Sequence, residues 1–472
     1  MLGEGTEFSP TITLCELFHK SSMLSAAAGA NPRQLLGDLY SAATAAVAPG
    51  PALARRLETI RADRDQVWVI ALGKAARPMA ATAAEILRKR GSPPVGGLVV
   101  GPIPGTSPDP AFEYVAGDHP EPGPGSLAAA EALAHTAARI GPDDEVWVLL
   151  SGGTTSLIAA PEPGLSAADL KTIYGVLLGS GLDITAMNRV RKRFSRWGGG
   201  KLARALAPAR VRVYVVSDVI GDDLASIGSG PCVPDPTTAT EVHQLLQQAD
   251  LWGRIPQTAR ELIASIESGR EAETPKPDDP VFASVSVELI ASNQLALDAA
   301  GERARRLGLN PRVAHSPVSG EAAAAGARLA AELLASCAAA PRGSSVPDCF
   351  IWGGETTVSL GEAPTGLGGR CQELALAASK LLEGAPEGVA LLAAGTDGRD
   401  GPTDAAGAII DNRTWRTVIH AGRDPSQDLV QHNAYPALAA AGALLRPGLT
   451  GTNVMDVMIG LCLKHGQQEE TR

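Results

Sequence analysis

The chain has 472 residues, 44% hydrophobic and only 4% aromatic, with a formal net charge of −10. This length exceeds one ordinary core, so two domains are expected, and the acidic balance argues against general binding to nucleic acid or anionic membranes. The six cysteines (15, 232, 337, 349, 371 and 462) include no CxxC pair and read as reduced thiols, neither a disulfide framework nor a zinc site. No apolar run reaches membrane-spanning length. Residues 1–30 lack the basic start and long apolar centre of a signal peptide and contain no Arg. A cytoplasmic protein with a loosely ordered N-terminal extension is the expectation.

From Pro32 to Arg61 apolar residues recur at helical spacing, with a break at Pro49-Gly50-Pro51. Val67 to Leu72 is a continuous apolar strand ending in Gly73-Lys74, and an Ala-rich helix follows to about Arg90. Further strands are read at Gly97 to Val100, Glu145 to Leu150 and Val211 to Val216, separated by helix-length stretches. Buried strands alternating with helices indicate a parallel doubly wound sheet, whose ligands bind beyond the carboxyl ends of the strands. There this sequence places Lys74, Ser151-Gly152-Gly153-Thr154-Thr155-Ser156 and Ser217-Asp218. A polar helical stretch runs from Glu241 to Glu267, and Glu271 to Pro280 is the best linker candidate. A second α/β series then starts at Val285 to Ala291. Its later strands are Arg312 to His315, Cys349 to Trp352 and Val389 to Ala394. The boundaries expected are therefore an extension at 1–30, an α/β domain at 31–245, a helical segment and linker at 246–283, and a second α/β domain at 284–472, whose tail either stays there or returns to the first.

The stretch from Ile351 to Gly407 has the highest density of charge among glycines. Gly353-Gly354 precedes Glu355-Thr356-Thr357, the loop Gly366 to Gly369 presents Arg370 at a helix start, and Thr396-Asp397-Gly398-Arg399-Asp400 ends a strand. Strand, glycine turn and helix make an anion site, because glycine lets backbone N–H groups approach a ligand and the helix N-terminus is partly positive. Lys74 at a helix start is disfavoured by the dipole unless an anion compensates, which points to a phosphate or carboxylate ligand. The Ser151 turn serves equally as a capped turn or a phosphate cradle, and it is not a Walker A loop. The run Asn188 to Arg193, followed by Gly198-Gly199-Gly200-Lys201, forms a positive patch suited to an anion. Asp218 and Asp397 end buried strands, where a carboxylate needs a partner, a metal or water. His119, in a proline-stiffened loop, reads equally as structural or catalytic. The turn after Leu72 holds one glycine, against the GxGxxG of a dinucleotide site.

Taken together, these motifs resemble the D-glycerate 2-kinases of the MOFRL type, a family often labelled hydroxypyruvate reductase. The resemblance spans Pro32 to Leu463 through ALGKAA (71–76), GDHPEP (117–122), LLSGGTTSL (149–157), MNRVRKRFS (187–195), GGKLA (199–203), SDVIGDDLASIGSGPCVPDPTT (217–238), GGETTV (353–358), GGRCQELAL (368–376), GTDGRDGPTDAAGAIID (395–411) and TGTNVMD (450–456). It implies ATP- and Mg2+-dependent phosphorylation of D-glycerate to 2-phosphoglycerate by two doubly wound, Rossmann-like α/β domains with the site in their cleft. It makes Lys74 and Arg370 the site cations, and Ser151, Gly152, Gly153, Thr154, Asn188, Asp218, Glu355 and Asp397 site-lining. The nucleotide falls to the Ser151–Thr154 turn, Asn188 and Asp397, the substrate to Lys74, Arg370 and Glu355, catalysis to Lys74, Arg370 and Asp218, and the metal to Asp218 or Asp397. The family pattern has Asn where this chain has Cys371 and Met455. The alternatives are an NAD(P)H-dependent hydroxypyruvate reductase and a non-catalytic sugar-acid binding protein.

Overall fold

The computed structural model describes residues 31–60, 62–339, 347–361 and 366–463, so the expectation for the first thirty residues lies outside the described residues. Two compact units emerge. One is Ala46–Ser292 with Gly451–Val454; the other is Asn293–Thr450 with the described residues 31–45 and 455–463.

In the first unit, β1 (Val67–Leu72), β2 (Gly96–Gly101), β3 (Phe112–Ala116), β4 (Glu145–Leu150), β5 (Arg210–Val216) and β6 (Val285–Ala291) form one sheet in the order β3-β2-β1-β4-β5-β6. Every pairing is parallel. β1 and β4 are buried along their whole length, as the apolar run of β1, and that of β4 after a leading Glu145 paired with Arg212, require of strands covered on both faces. The strand order reverses between β1 and β4, so the loops after these strands flank the crevice where doubly wound sheets hold ligands.

β6 corrects the expected boundary at 284. It is the sixth strand of the first sheet instead of the first strand of a second series, and its half-buried pattern is that of an edge strand. The expected linker is also tied down. Helices Ala167–Leu178, Ile184–Phe194, Ala239–Gln248 and Gln257–Glu267 bury Leu170, Ile173, Phe194, Val242, Leu246 and Ile263 in a common core. Beyond them Glu273 pairs with the fully buried Arg193, Thr274 Oγ1 donates to Asp235 Oδ2 at 3.0 Å, and Lys276 Nζ donates to the Thr237 carbonyl at 2.6 Å. Satisfied buried charges make residues 271–280 a fixed strap.

The second unit is α/β as expected, but its sheet is mixed. The strands β7 (Asn310–Val313), β8 (Asp348–Gly354), β9 (Val389–Gly395), β10 (Gly407–Asp411), β11 (Leu444–Leu445) and β12 (Asp456–Cys462) run in the order β11-β10-β9-β12-β8-β7. Only β7 and β8 pair in parallel; β12 lies antiparallel between β8 and β9, and β10 is antiparallel to both its neighbours. Helix Arg370–Leu382 crosses this sheet and packs against Ala322–Ala339, with a Cβ on Gly326 blocked by the Leu374 carbonyl. Ala322–Ala339 is, among the described residues, a helix long and apolar enough to cross a membrane. Its residues Ala325, Leu329, Ala330 and Leu333 are buried in the second core. Helix Pro32–Ala46 joins this unit through Arg33 Nη2, which donates to the Leu444 carbonyl at 2.9 Å.

One reading of the cysteines is overturned. Cys337 and Cys462 form a disulfide, because the end of helix Ala322–Ala339 and the end of β12 bring their Cα atoms within 5.9 Å. Cys232, Cys349 and Cys371 are buried free thiols.

Candidate active site

In the first unit the loops after β1 and β4 interlock. The Lys74 N–H donates to the Gly152 carbonyl at 2.9 Å, and the Ala75 N–H donates to Ser151 Oγ at 3.0 Å. Gly73, at φ +116°, is required because a Cβ there would overlap Ser151. Thr154 Oγ1 donates to the Ser151 carbonyl at 2.8 Å and is fully buried. Ser151 and Thr154, expected to touch a nucleotide, thus use their hydroxyls inside the turn. What the turn can offer a ligand is the backbone around Gly153, together with the partly exposed Thr155 and Ser156.

Around Gly153 three side chains converge. A Cβ on it would lie 3.2 Å from His119 Nε2 and 3.3 Å from Lys74 Cγ, and a Cβ on the neighbouring Gly152 would overlap the Asp218 carboxylate. Burial, then the charge of Lys74, holds the His119 imidazole below its ordinary value and so neutral near pH 7. Burial raises the Asp218 carboxyl, while Lys74 pulls it back. A cation, a neutral imidazole and a carboxylate around a glycine turn at the switch point suit anion binding and proton handling. His119 thereby joins the constellation that the sequence left undecided.

The basic run divides. Arg193 is consumed by Glu273 and the Thr237 carbonyl. Lys201 Nζ, paired with Glu162 at 2.7 Å, donates to the Ser195 carbonyl at 2.7 Å and to the carbonyls of Lys192 and Arg193. That is a cation closing a helix C-terminus, a structural duty. The positive patch expected from Asn188 to Lys201 is therefore largely internal. Lys192 is buried beside Ser229 and Asp235, which reflects its packing on Gly198 and Gly199. Burial lowers its ammonium, against the pull of Asp235 and Asp223. Asn188 is half-buried one helical turn before Lys192.

In the second unit Arg370 opens helix Arg370–Leu382. Its Nε donates to Asp456 Oδ2 at 2.6 Å and its Nη2 to Asp456 Oδ1 at 2.9 Å, while Nη1 meets Glu355 Oε1 at 2.6 Å. Asp456, the first residue of β12, is fully buried. Burial would lower the guanidinium's affinity for its proton, but the Asp456 pair outweighs it and Arg370 stays charged. These contacts take three of the five N–H donors of an arginine. Asp397 stands close by, its Oδ1 accepting the Arg399 N–H at 2.9 Å, and Tyr40 Oη donates to the Gly395 carbonyl at 2.7 Å. Tyr40 and Asp456 are site neighbours that sequence reasoning missed; the first reads as one more apolar helix position, and the pairing of the second with Arg370 spans 86 residues.

The helix start is held by Asp400, which accepts the Cys371 N–H at 3.1 Å and the Gln372 N–H at 2.7 Å. Burial, reinforced by Asp456, pushes the Asp400 carboxyl up to about 7. Cys371 is fully buried, and its thiol bonds to Asp456. It therefore stands behind Arg370. Met455 occupies φ +68°, a region where Asn is tolerated better than Met, which gives a conformational reason for the Asn expected there. Among the described residues no three His, Cys, Asp or Glu side chains are grouped to cage a metal. Mg2+ in phosphoryl-transfer sites is held by one or two carboxylates plus phosphates and water, and Asp218 or Asp397 offers the hard oxygen donors it takes.

Glycine turns at strand ends, each presenting a cation and carboxylates, define an α/β protein built to bind small anions. The model of the MOFRL family matches residues 348–456, and that of a domain of unknown function, DUF4147, matches residues 35–264. The chain is 37% identical to the D-glycerate 2-kinase of Thermotoga maritima over 91% of its length and 98% of that protein. It is 36% identical to the glycerate 2-kinase of Pyrococcus horikoshii over 84% of its length and 88% of that protein. A crystal structure of glycerate kinase from Thermotoga maritima superposes with a TM-score of 0.82 at 36% identity, covering 91% of this chain and 98% of that one. The chain belongs to the glycerate 2-kinase family, a family of phosphotransferases.

Proposed function

We propose that this protein transfers the γ-phosphoryl group of ATP to the 2-hydroxyl of D-glycerate, giving 2-phosphoglycerate in the cytoplasm. The observation that carries the reading is the convergence of Lys74, His119 and Asp218 on the Gly153 turn, within a chain of this family. Phosphoryl transfer needs positioning and charge neutralisation more than covalent chemistry. Lys74 and Arg370 are each, within their own unit, cations suited to an anionic group such as the glycerate carboxylate or the moving phosphoryl group. Arg370 acts with the donors that Asp456 and Glu355 leave, the carboxylates fixing its plane. Backbone N–H groups about Gly153 hold phosphate oxygens. Asp218, next to Lys74, orients the 2-hydroxyl and accepts its proton, a role its raised affinity favours.

Asp218 or Asp397 would hold Mg2+, which when bound neutralises charge on the phosphate oxygens. Nothing about the β1 turn favours a reductase, since Gly73 is its one glycine and is used against Ser151.

The test is a coupled assay with D-glycerate, ATP and Mg2+ that distinguishes the phosphoglycerate isomers. The expected product is 2-phosphoglycerate. A 3-phosphoglycerate product, or oxidation of NADH by hydroxypyruvate without any phosphorylation, would overturn the reading.

A further inference from the structure

Cys337 and Cys462 stand apart from the other described cysteines. Cys232, Cys349 and Cys371 are sealed in the cores, and burial pushes the thiols of the first two up to about 12, which keeps them inert. The bonded pair instead borders a recess of about 720 Å³, lined also by Leu334, Leu381, Val389 and Leu463. Cys337 is half-buried in the last turn of helix Ala322–Ala339, whereas Cys462, the last residue of β12, is buried. A thiol reagent therefore meets the bond from the Cys337 side. In the cytoplasm proposed above, a disulfide within reach of reagents is usually a transient one, made and broken with the redox state.

The position of the bond decides what it controls. β12 does not need it in order to form, since the strand pairs along its whole length with β8 on one side and β9 on the other. Asp456, which holds Arg370, lies at the opposite end of that strand from Cys462. What the bond closes is a span of 125 residues that contains β8 to β11 and helix Arg370–Leu382. A cross-link over so long a span restricts the unfolded chain far more than the folded one. We infer that Cys337 and Cys462 form a reversible thiol–disulfide site, through which dithiol reductants and disulfide oxidants set the stability of the second unit and leave the Arg370 end of β12 as it is.

To open the bond, a thiolate of the reductant attacks Cys337 Sγ, the bond to Cys462 Sγ breaks, and Cys462 leaves as a thiolate that takes up a proton. The second thiolate of the reductant then attacks its partner sulfur in the mixed disulfide, and Cys337 leaves and is protonated in turn. Two electrons and two protons pass to the protein, and the reductant departs as a disulfide. Closing is the reverse exchange with a disulfide oxidant.

The test uses the full-length protein, with oxidised glutathione to close the bond and dithiothreitol to open it. After the first treatment, a non-reducing digest should contain a peptide pair joined through Cys337 and Cys462. Dithiothreitol should open that bond without denaturant and lower the melting temperature of the second unit by about 5–10 °C. Hydrogen exchange should quicken in β8, β9 and β12 and hold in the first sheet. Phosphotransfer well below melting should not change, while the half-life of the protein under heating should shorten about tenfold. Cys337→Ser should match the reduced wild type whether or not reductant is present, and Cys462→Ala gives the same comparison if the first variant fails to fold. Absence of the joined peptide, equal melting of the oxidised and reduced protein, or a reductant effect that survives in Cys337→Ser overturns the inference. So does a bond that opens only in denaturant, which would be a permanent staple. Loss of phosphotransfer on reduction with stability unmoved overturns it too, since the bond would then act on Arg370.

Discussion

Arg370 is held from behind, and that decides how its replacement behaves. Lysine restores the charge but cannot pair with both Asp456 oxygens while facing a ligand. Arg370→Lys is expected to lower kcat by about a hundredfold or more, as loss of an oriented cation does in comparable sites, with the circular dichroism spectrum unchanged. Arg370→Ala leaves Asp456 buried without its cation. Breaking a fully buried pair costs about 3–5 kcal/mol, and the one-third exposure of Arg370 places this change nearer the lower end. Chemical denaturation of the two variants separates the catalytic loss from the structural one. His119 offers a second check at this scale. Its folded form resists protonation, so the unfolded chain takes up more protons as pH falls below about 6.5. Stability should drop on that side and hold above it. His119→Gln should remove part of the drop in melting temperature between pH 7.5 and pH 5.5; an identical drop in the variant would place the imidazole in an ordinary environment.

Helix Arg370–Leu382 depends on a residue outside itself. Gly369 precedes it because a side chain there would overlap Asp400, and Asp400 then accepts the N–H groups of the helix's second and third residues, Cys371 and Gln372. Asp400→Ala leaves those donors buried and unanswered, which costs about 2 kcal/mol, and lets Arg370 drift. Because the folded Asp400 has its affinity raised to about 7, the native state holds the extra proton between about pH 4 and 7. Stability should therefore decline as pH rises through this window and level off above it, and the variant should lose that slope in denaturation curves at pH 5, 6, 7 and 8. Elements of this kind were unevenly legible. β1, β9 and, after its leading Glu145, β4 are apolar runs that end at or beside a glycine turn, and the sequence alone located them. β3 has a half-exposed pattern, and β12 enters straight from a glycine turn. Neither announces itself by periodicity. Hydrophobicity also carries no direction, so the antiparallel insertion of β12 between β8 and β9 was hidden, and with it the meeting of Asp456 with Arg370.

Across the whole molecule, the units do not follow the order of the chain. Composition marked 271–280 as a linker because it is rich in proline and charge, yet its Glu273 answers Arg193 and its Thr274 hydroxyl answers Asp235. Proteases should therefore spare this stretch. Arg193→Ala leaves Asp235 buried without its cation and Glu273 held only by Lys276 and the Ala239 N–H, and limited proteolysis of that variant should give a new cut near residues 271–280; an uncut variant would mean the strap is held by other contacts. The cations and glycine turns of the site were readable as motifs. Their division into structural and ligand-facing members was not, since Lys192, Arg193 and Lys201 look alike in sequence and differ only in what burial gives each of them.

The place of β12 has a bearing on how the protein is made. Its two neighbours, β8 and β9, leave the ribosome about a hundred and about sixty residues ahead of it. Until β12 arrives, each presents an open edge of unpaired backbone groups, the arrangement by which nascent chains stick to one another. The first sheet has every strand available by residue 291 and can fold while synthesis continues. The second must wait for nearly the last stretch of described chain. A message truncated before Asp456 should thus yield a soluble first unit attached to an aggregating remainder, which chaperones would need to shield during each round of translation.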